Sequence, residues 1–272
     1  MSVTLVNAPL VELIAEIRWR SASEGGASVS ELAPLGPVLI MDTGGLDEFY
    51  MHFGGRAFAM NFASSERLSP AGVPTFLHQP VYRFKKTTDG VVDCLYQVGP
   101  GIFSANAIPP YKSWEQFAPV IRAGLEALLA SRPSSEVDEP IMAVSLRYID
   151  LFGPALMGDQ TPAAFIRDVL GLRLEIPPAL SGLASSEAEV KPFLQLQIPM
   201  RDGMAMSFSV GEGGAAGRQG VIMDTSVATT VDVAPSVDAV MQAFNVAHEA
   251  IDASFRKLIA PLSKLLPAEK GE

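Results

Sequence analysis

The sequence predicts an α+β protein of two structurally similar halves, each an antiparallel sheet with a long amphipathic helix packed on one face. Three observations carry that reading. Period-2 apolar runs are joined by Asp-Gly turns, a long helical stripe closes each half, and a polar, Pro-flanked segment lies between the halves.

In LVELIAEIRWR, Leu13, Ala15, Ile17 and Trp19 alternate with Glu12, Glu16, Arg18 and Arg20, the pattern of a half-buried strand over residues 10–20. Gly, Ser and Pro punctuate residues 21–37. Residues 38–63 mix apolar residues and Gly without a clean period, and a short helix near Asp47 to Phe53 is the best local reading. VYRFKK and VVDCLYQV are strand-like runs joined by TTDG, whose Asp89-Gly90 step favours the positive φ angles of a tight hairpin turn. IFSANAI follows as a third strand after Gly99-Pro100-Gly101. Ser113, with Gln116 three positions on, reads as a capping box. Phe117, Val120, Ile121, Leu125, Leu128 and Leu129 then share one face of a helix that runs to about Ser131.

RPSSEVDEP at 132–140 has the composition of a linker, which divides the chain into a first half, 1–135, and a second half, 136–272. The two are either separate units or one continuous duplicated domain. The same order of elements then returns. AVSLRYIDLF is a strand, and Thr161-Pro162 opens a short helix with Phe165, Ile166, Val169 and Leu170 along one side. FLQLQIP and MAMSFSV flank Arg201-Asp202-Gly203, a second hairpin signal. VIMDTSVATTVDV supplies one bent or two short strands. Ser236 caps a last helix on which Val240, Met241, Phe244, His248, Ile251, Phe255 and Leu258 recur at helical spacing. The order of elements and the two Asp-Gly turns, not residue identity, predict an internal duplication. The two sheets join edge to edge or pack through their helices.

Composition narrows the function. The 272 residues are 48% hydrophobic and 18% charged, which fits a globular chain and excludes a mainly disordered or fibrous one. A single cysteine, Cys94, rules out an intrachain disulfide. The start has no basic region ahead of an uninterrupted apolar run, and stretches such as LAPLGPVLIM stop short of the ~18 residues of a membrane span. A cytoplasmic location with no membrane partner is expected. The net charge of −10 is spread evenly, with 10 basic and 15 acidic residues on each side of residue 140. Lys85-Lys86 is the one basic cluster, so no nucleic-acid partner is expected. The acidity serves solubility or attracts a basic protein.

The chemistry is sparse. His52, His78 and His248 lie far apart and form no pair at metal-ligand spacing, so no metal and no cofactor are expected. His248, on the apolar stripe of the last helix, reads as a packed or interface residue. Cys94 reads as a small buried hydrophobe, since no adjacent His or cation would lower its pKa. GEGGAAGRQG at 211–220 formally matches a dinucleotide fingerprint, but strand residues follow where a helix N-terminus would have to begin, so a hairpin loop is the reading. Glu12 and Glu16 read as one solvated strand face. In SLRYID, Arg147 and Asp150 beside Tyr148 form a structural salt bridge or line a cleft. Arg147, Tyr148 and Asp150, with Trp19 from the corresponding strand of the first half, are the candidate cleft residues, and no catalytic residue is assigned. Trp19, Trp114 and Tyr111 serve as core or interface anchors.

NAPLVELIAEIRW at 7–19, the YxxWExF segment at 111–117, SLRYIDLF at 145–152 and AHEAIDASFRKLI at 247–259 together resemble an uncharacterised bacterial family of sporadically distributed cytosolic proteins. The resemblance spans nearly the whole chain. It implies an accessory role, tied to mobile elements or conflict between cells, and brings no catalytic residues. The function expected from the whole sequence is a non-catalytic binding protein that engages another protein in an accessory, defence or immunity-type role. The alternative is a small-molecule-binding protein or enzyme with a pocket between the halves, where Arg147 would hold an anionic group.

Overall fold

Alternation along the strands decides the layering, because a strand with one apolar face has to bury that face. The computed structural model describes residues 8–21, 39–40, 44–70, 73, 75–109, 111, 113–183, 190–215 and 217–267. The punctuated segment 22–38 lies outside the described residues. The first part of the chain runs β1 (Leu10–Trp19), β2 (Leu39–Ile40), α1 (Gly44–Ala59), β3 (Ser64–Arg67), β4 (Thr75–Phe76), β5 (Tyr82–Thr88), β6 (Val91–Gly99), β7 (Ile102–Ala107) and α2 (Trp114–Leu129). It continues through β8 (Ile141–Phe152), α3 (Pro154–Met157), α4 (Pro162–Asp168), α5 (Pro178–Ser181), β9 (Phe193–Pro199), β10 (Met204–Ala215), β11 (Arg218–Thr229) and α6 (Val237–Leu258), which ends in a 3-10 turn.

Nine strands form one antiparallel sheet in the order β3-β5-β6-β7-β1-β8-β11-β10-β9, and β2 and β4 form a separate ribbon. The central pair is β1 and β8, with Ala15 opposite Leu146 and Ile14 opposite Arg147. The protein is therefore mixed α+β, and strands from both sides of residue 135 share one sheet. The helices gather on the apolar face: α2 on β7, α6 on β8 and β11, α1 on β5, α4 on β10 and β11. Beneath them lies a large core that includes Leu13, Ile17, Phe53, Tyr96, Phe103, Ile121, Leu146 and Phe244. A smaller core around Phe152, Phe165, Val210 and Val221 sits under α4.

Local chemistry explains the turns. Asp89 and Gly90 take φ of 52° and 81°, and Asp202 and Gly203 take 58° and 68°, so both Asp-Gly steps make the tight hairpin turns their residues favour. Ser236 caps α6 by accepting from the Ala239 N–H at 3.3 Å. The β10–β11 hairpin absorbs the glycine-rich segment: Gly211 and Gly213 pair with Ile222 and Gly220, and no helix follows.

Two expectations are corrected. The helix near Asp47 extends over Gly44–Ala59, its Phe49, Phe53 and Ala57 buried against the sheet. Ser113 makes no side-chain cap bond; its backbone carbonyl instead accepts from Gln116 and Phe117. In residues 132–140, Arg132 and Glu136 are buried, while Ser134, Ser135, Val137 and Asp138 are exposed. Of the two readings of VIMDTSVATTVDV, the structure shows one strand, β11, to Thr229, with Val233 making an isolated bridge to Ile141.

Candidate functional site

The face of the sheet opposite the helices is mainly polar, with Ile14, Ile149, Ile222 and Phe193 among its residues. From β1 it receives Glu12, Ile14, Glu16 and Arg18, whose neighbours Leu13, Ala15 and Ile17 are the buried ones. β8 adds Ser145 and Arg147, β11 adds Asp224 and Ser226, β10 adds Ser207 and Ser209, and β9 adds Gln195 and Gln197; each set follows from the cross-strand register. Toward the other edge lie Asn106, Ser104, Gln97, Arg83, Lys85 and Glu66.

These charges, other than Glu12, form ion pairs. Arg147 donates through Nε to Asp224 Oδ1 at 2.8 Å and through Nη2 to Oδ2. The bidentate bond, and Glu12 and Glu16 beyond it, hold the guanidinium above its ordinary pKa. Arg18 donates to Glu16 at 2.7 Å, and Glu66 accepts from Arg83 at 2.9 Å and Lys85 at 2.5 Å. Amides and hydroxyls fill the spaces: Gln197 donates to Ser207 at 2.9 Å and Asn106 to Glu12 at 2.7 Å. Around Arg147, Glu16, Ser145, Ser207, Asp224 and Ser226 the face dips into an open hollow of about 380 Å³.

The predicted cleft residues do not form one site. Strand alternation sends Arg147 to the uncovered face and its neighbours Tyr148 and Asp150 to the helix side. Arg147 takes its carboxylate from β11, so the expected Arg147–Asp150 pairing is replaced by Arg147–Asp224. Tyr148 lies beneath α6, its hydroxyl 2.9 Å from His248 Nδ1. His248 stacks on Trp114 with 4.6 Å between ring centres, and Trp114 donates to Asn245 at 3.1 Å. Burial lowers the His248 pKa, as suits a packed histidine. Burial, with the Asp224 carboxylate second, pushes the Asp150 carboxyl up to about 7. Trp19 is at the far end of β1, where Nε1 donates to Glu136 at 2.6 Å and Arg132 lies over the ring.

Sequence reasoning passed over Asp224, Ser207, Ser209 and Ser226. Their signal was present in part: MSFSV alternates polar and apolar residues, and in MDTSV Asp224 and Ser226 are two apart and so share a strand face. What was missing was which strand lies beside β8. Among the described residues no three His, Cys, Asp or Glu side chains gather as a metal site, and no helix is long and apolar enough to cross a membrane. No protein-family model, curated protein or solved structure matches the chain significantly.

Proposed function

We propose that this is a non-catalytic binding protein that receives another protein on the uncovered face of its sheet. One observation carries the reading: among the described residues all the packed helices lie on one side of a nine-stranded sheet, and the other side presents Arg, Glu, Asp, Ser and Gln side chains with Ile14, Ile149, Ile222 and Phe193 set among them. Nine strands at about 4.8 Å spacing with about 20 Å of shared length span on the order of 800 Å², close to one side of a standard protein interface. Four acids, Glu12, Glu16, Glu66 and Asp224, balance four bases, Arg18, Arg83, Lys85 and Arg147, so such a partner is read by hydrogen bonds and local charge pattern.

The reading includes an internal duplication. From the central pair, β7, β6 and β5 succeed β1 outward as β11, β10 and β9 succeed β8, and a long helix closes each series. The polar face is then built from two related units. The resemblance to sporadically distributed bacterial proteins supports an accessory, cytoplasmic role. A small-molecule pocket at Arg147 has less support, because Asp224 already neutralises the guanidinium and the hollow opens broadly.

Site-specific photo-crosslinking in the native cell tests this. A benzophenone side chain at Ser207 is expected to capture a discrete polypeptide, and one at exposed Met51 on α1 is not. Capture from Met51 alone, or no adduct from Ser207, contradicts the proposal.

A further inference from the structure

The two outer strands of the sheet are built differently. β3 has four residues and its Glu66 is tied to Arg83 and Lys85 of β5, a short, charged ending of the kind that blocks further pairing. β9, FLQLQIP, has seven residues, no charge and, among the described residues, a sheet neighbour on one side only, β10. Phe193, Leu196 and Ile198 on it are 69%, 44% and 43% exposed. Beside it is a hollow of about 350 Å³ walled by Leu174, Ile176, Ser181, Pro192 and Leu194. Leu180 and Leu183, flanking Ser181, are exposed as well.

We propose that β9 is the pairing edge of a homodimer, in which two copies meet β9 to β9, antiparallel about a two-fold axis at Leu196. The strand's own sequence selects this occupant. Antiparallel pairing about Leu196 sets Leu194 opposite Ile198, Gln195 opposite Gln197 and Leu196 opposite itself. Apolar side chains then meet on the helix side and amides meet on the uncovered side. Neighbouring axes lose this match: about Gln195, Phe193 faces Gln197, and about Gln197, Pro199 faces Gln195.

Charge selects the same edge. At a net charge of −10 two copies repel over most of their surface, whereas β9 is neutral. Just beyond it Lys191 is neutralised by Glu212 at 3.0 Å, and Arg201 is followed by Asp202. A seven-residue ladder alone falls short of the ~800 Å² per partner of a standard interface, and exposed Leu174, Leu180 and Leu183 extend the apolar area along that edge. Pairing there joins two uncovered sheet faces into one.

Sedimentation of the purified full chain, from micromolar to near-millimolar concentration, is the test. The mass is expected to rise to twice the 28.9 kDa of the chain. Leu196→Lys, which sets two ammonium groups across the axis, is expected to return it to the single-chain mass with an unchanged circular dichroism spectrum. If that variant misfolds, cysteine cross-linking decides. In a Cys94→Ser background, Leu196→Cys is expected to give a covalent dimer on mild oxidation and Val91→Cys, exposed on β6, is not. A single-chain mass at every concentration overturns the proposal, as does a dimer indifferent to Leu196→Lys. A purified monomer that cross-links through position 196 to a different polypeptide overturns it too, in favour of a heterologous strand.

Discussion

The indole N–H of Trp19 donates to a Glu136 carboxylate oxygen at 2.6 Å, tying the end of β1 to a residue 117 positions along the chain. Ser21 gives the same carboxylate a second donor at 2.8 Å, and the buried Arg132 guanidinium lies 5.1 Å from the Trp19 ring centre. Glu136→Ala leaves both donors without their acceptor and takes a neighbouring carboxylate charge from the buried Arg132. It is expected to cost about 3 kcal/mol in urea denaturation, against under about 1 kcal/mol for exposed Asp138→Ala.

Asp150 makes stability depend on pH in an unusual direction. Its carboxyl is raised from 3.8 to about 7 by burial and by Asp224, so between those values the folded chain holds a proton that the unfolded chain has released. The group's contribution is therefore most favourable below pH ~4 and is lost as pH rises to about 7. Asp150→Asn removes this dependence. Relative to the parent, the variant is expected to gain stability from pH 4 to pH 8, by up to about 4 kcal/mol, and thermal melts across that range measure the gain.

Gly124 inverts a helix-propensity rule. In the middle of α2, Gly→Ala ordinarily gains up to about 1 kcal/mol. Here an added Cβ would stand 2.7 Å from Phe103 Cζ and 2.8 Å from Tyr96 Cε1, because α2 sits directly on β6 and β7. Gly124→Ala is expected to lower stability by about 1–3 kcal/mol. Exposed Gly55 in α1, with nothing within 4 Å of such a Cβ, is the control and is expected to gain.

The Arg147–Asp224 pair is half-exposed, with 47% of the arginine and 23% of the aspartate side chain open to solvent. Arg147→Ala is expected to change stability by no more than about 1 kcal/mol. A larger loss in chemical denaturation would assign the pair to holding the sheet together.

Much of this fold is legible in the sequence where one residue type repeats at one period. Leu13, Ala15, Ile17 and Trp19 announce β1, the Asp89-Gly90 and Asp202-Gly203 steps announce the two hairpins, and Val240, Met241 and Phe244 announce α6. α1 is only partly legible, because Gly44, Gly45, Gly54 and Gly55 dilute its apolar stripe. RPSSEVDEP reads as a linker by composition, yet Arg132 and Glu136 find partners through Trp19, which no local pattern encodes. The candidate site is legible only at Arg147. Strand geometry separates residues three apart onto opposite faces, so Asp150 could not be its partner. Asp224, the actual partner, is 77 residues away and reaches Arg147 through the long-range pairing of β8 with β11.

Native mass spectrometry of the protein purified gently from its own cells, beside its Arg147→Glu variant, tests the central claim most directly. The uncovered face as a protein-binding surface predicts a second polypeptide on the parent chain that is lost, at least tenfold, from a variant of unchanged stability. A bound mass of only small-molecule size, or a polypeptide retained in full by Arg147→Glu, would contradict it.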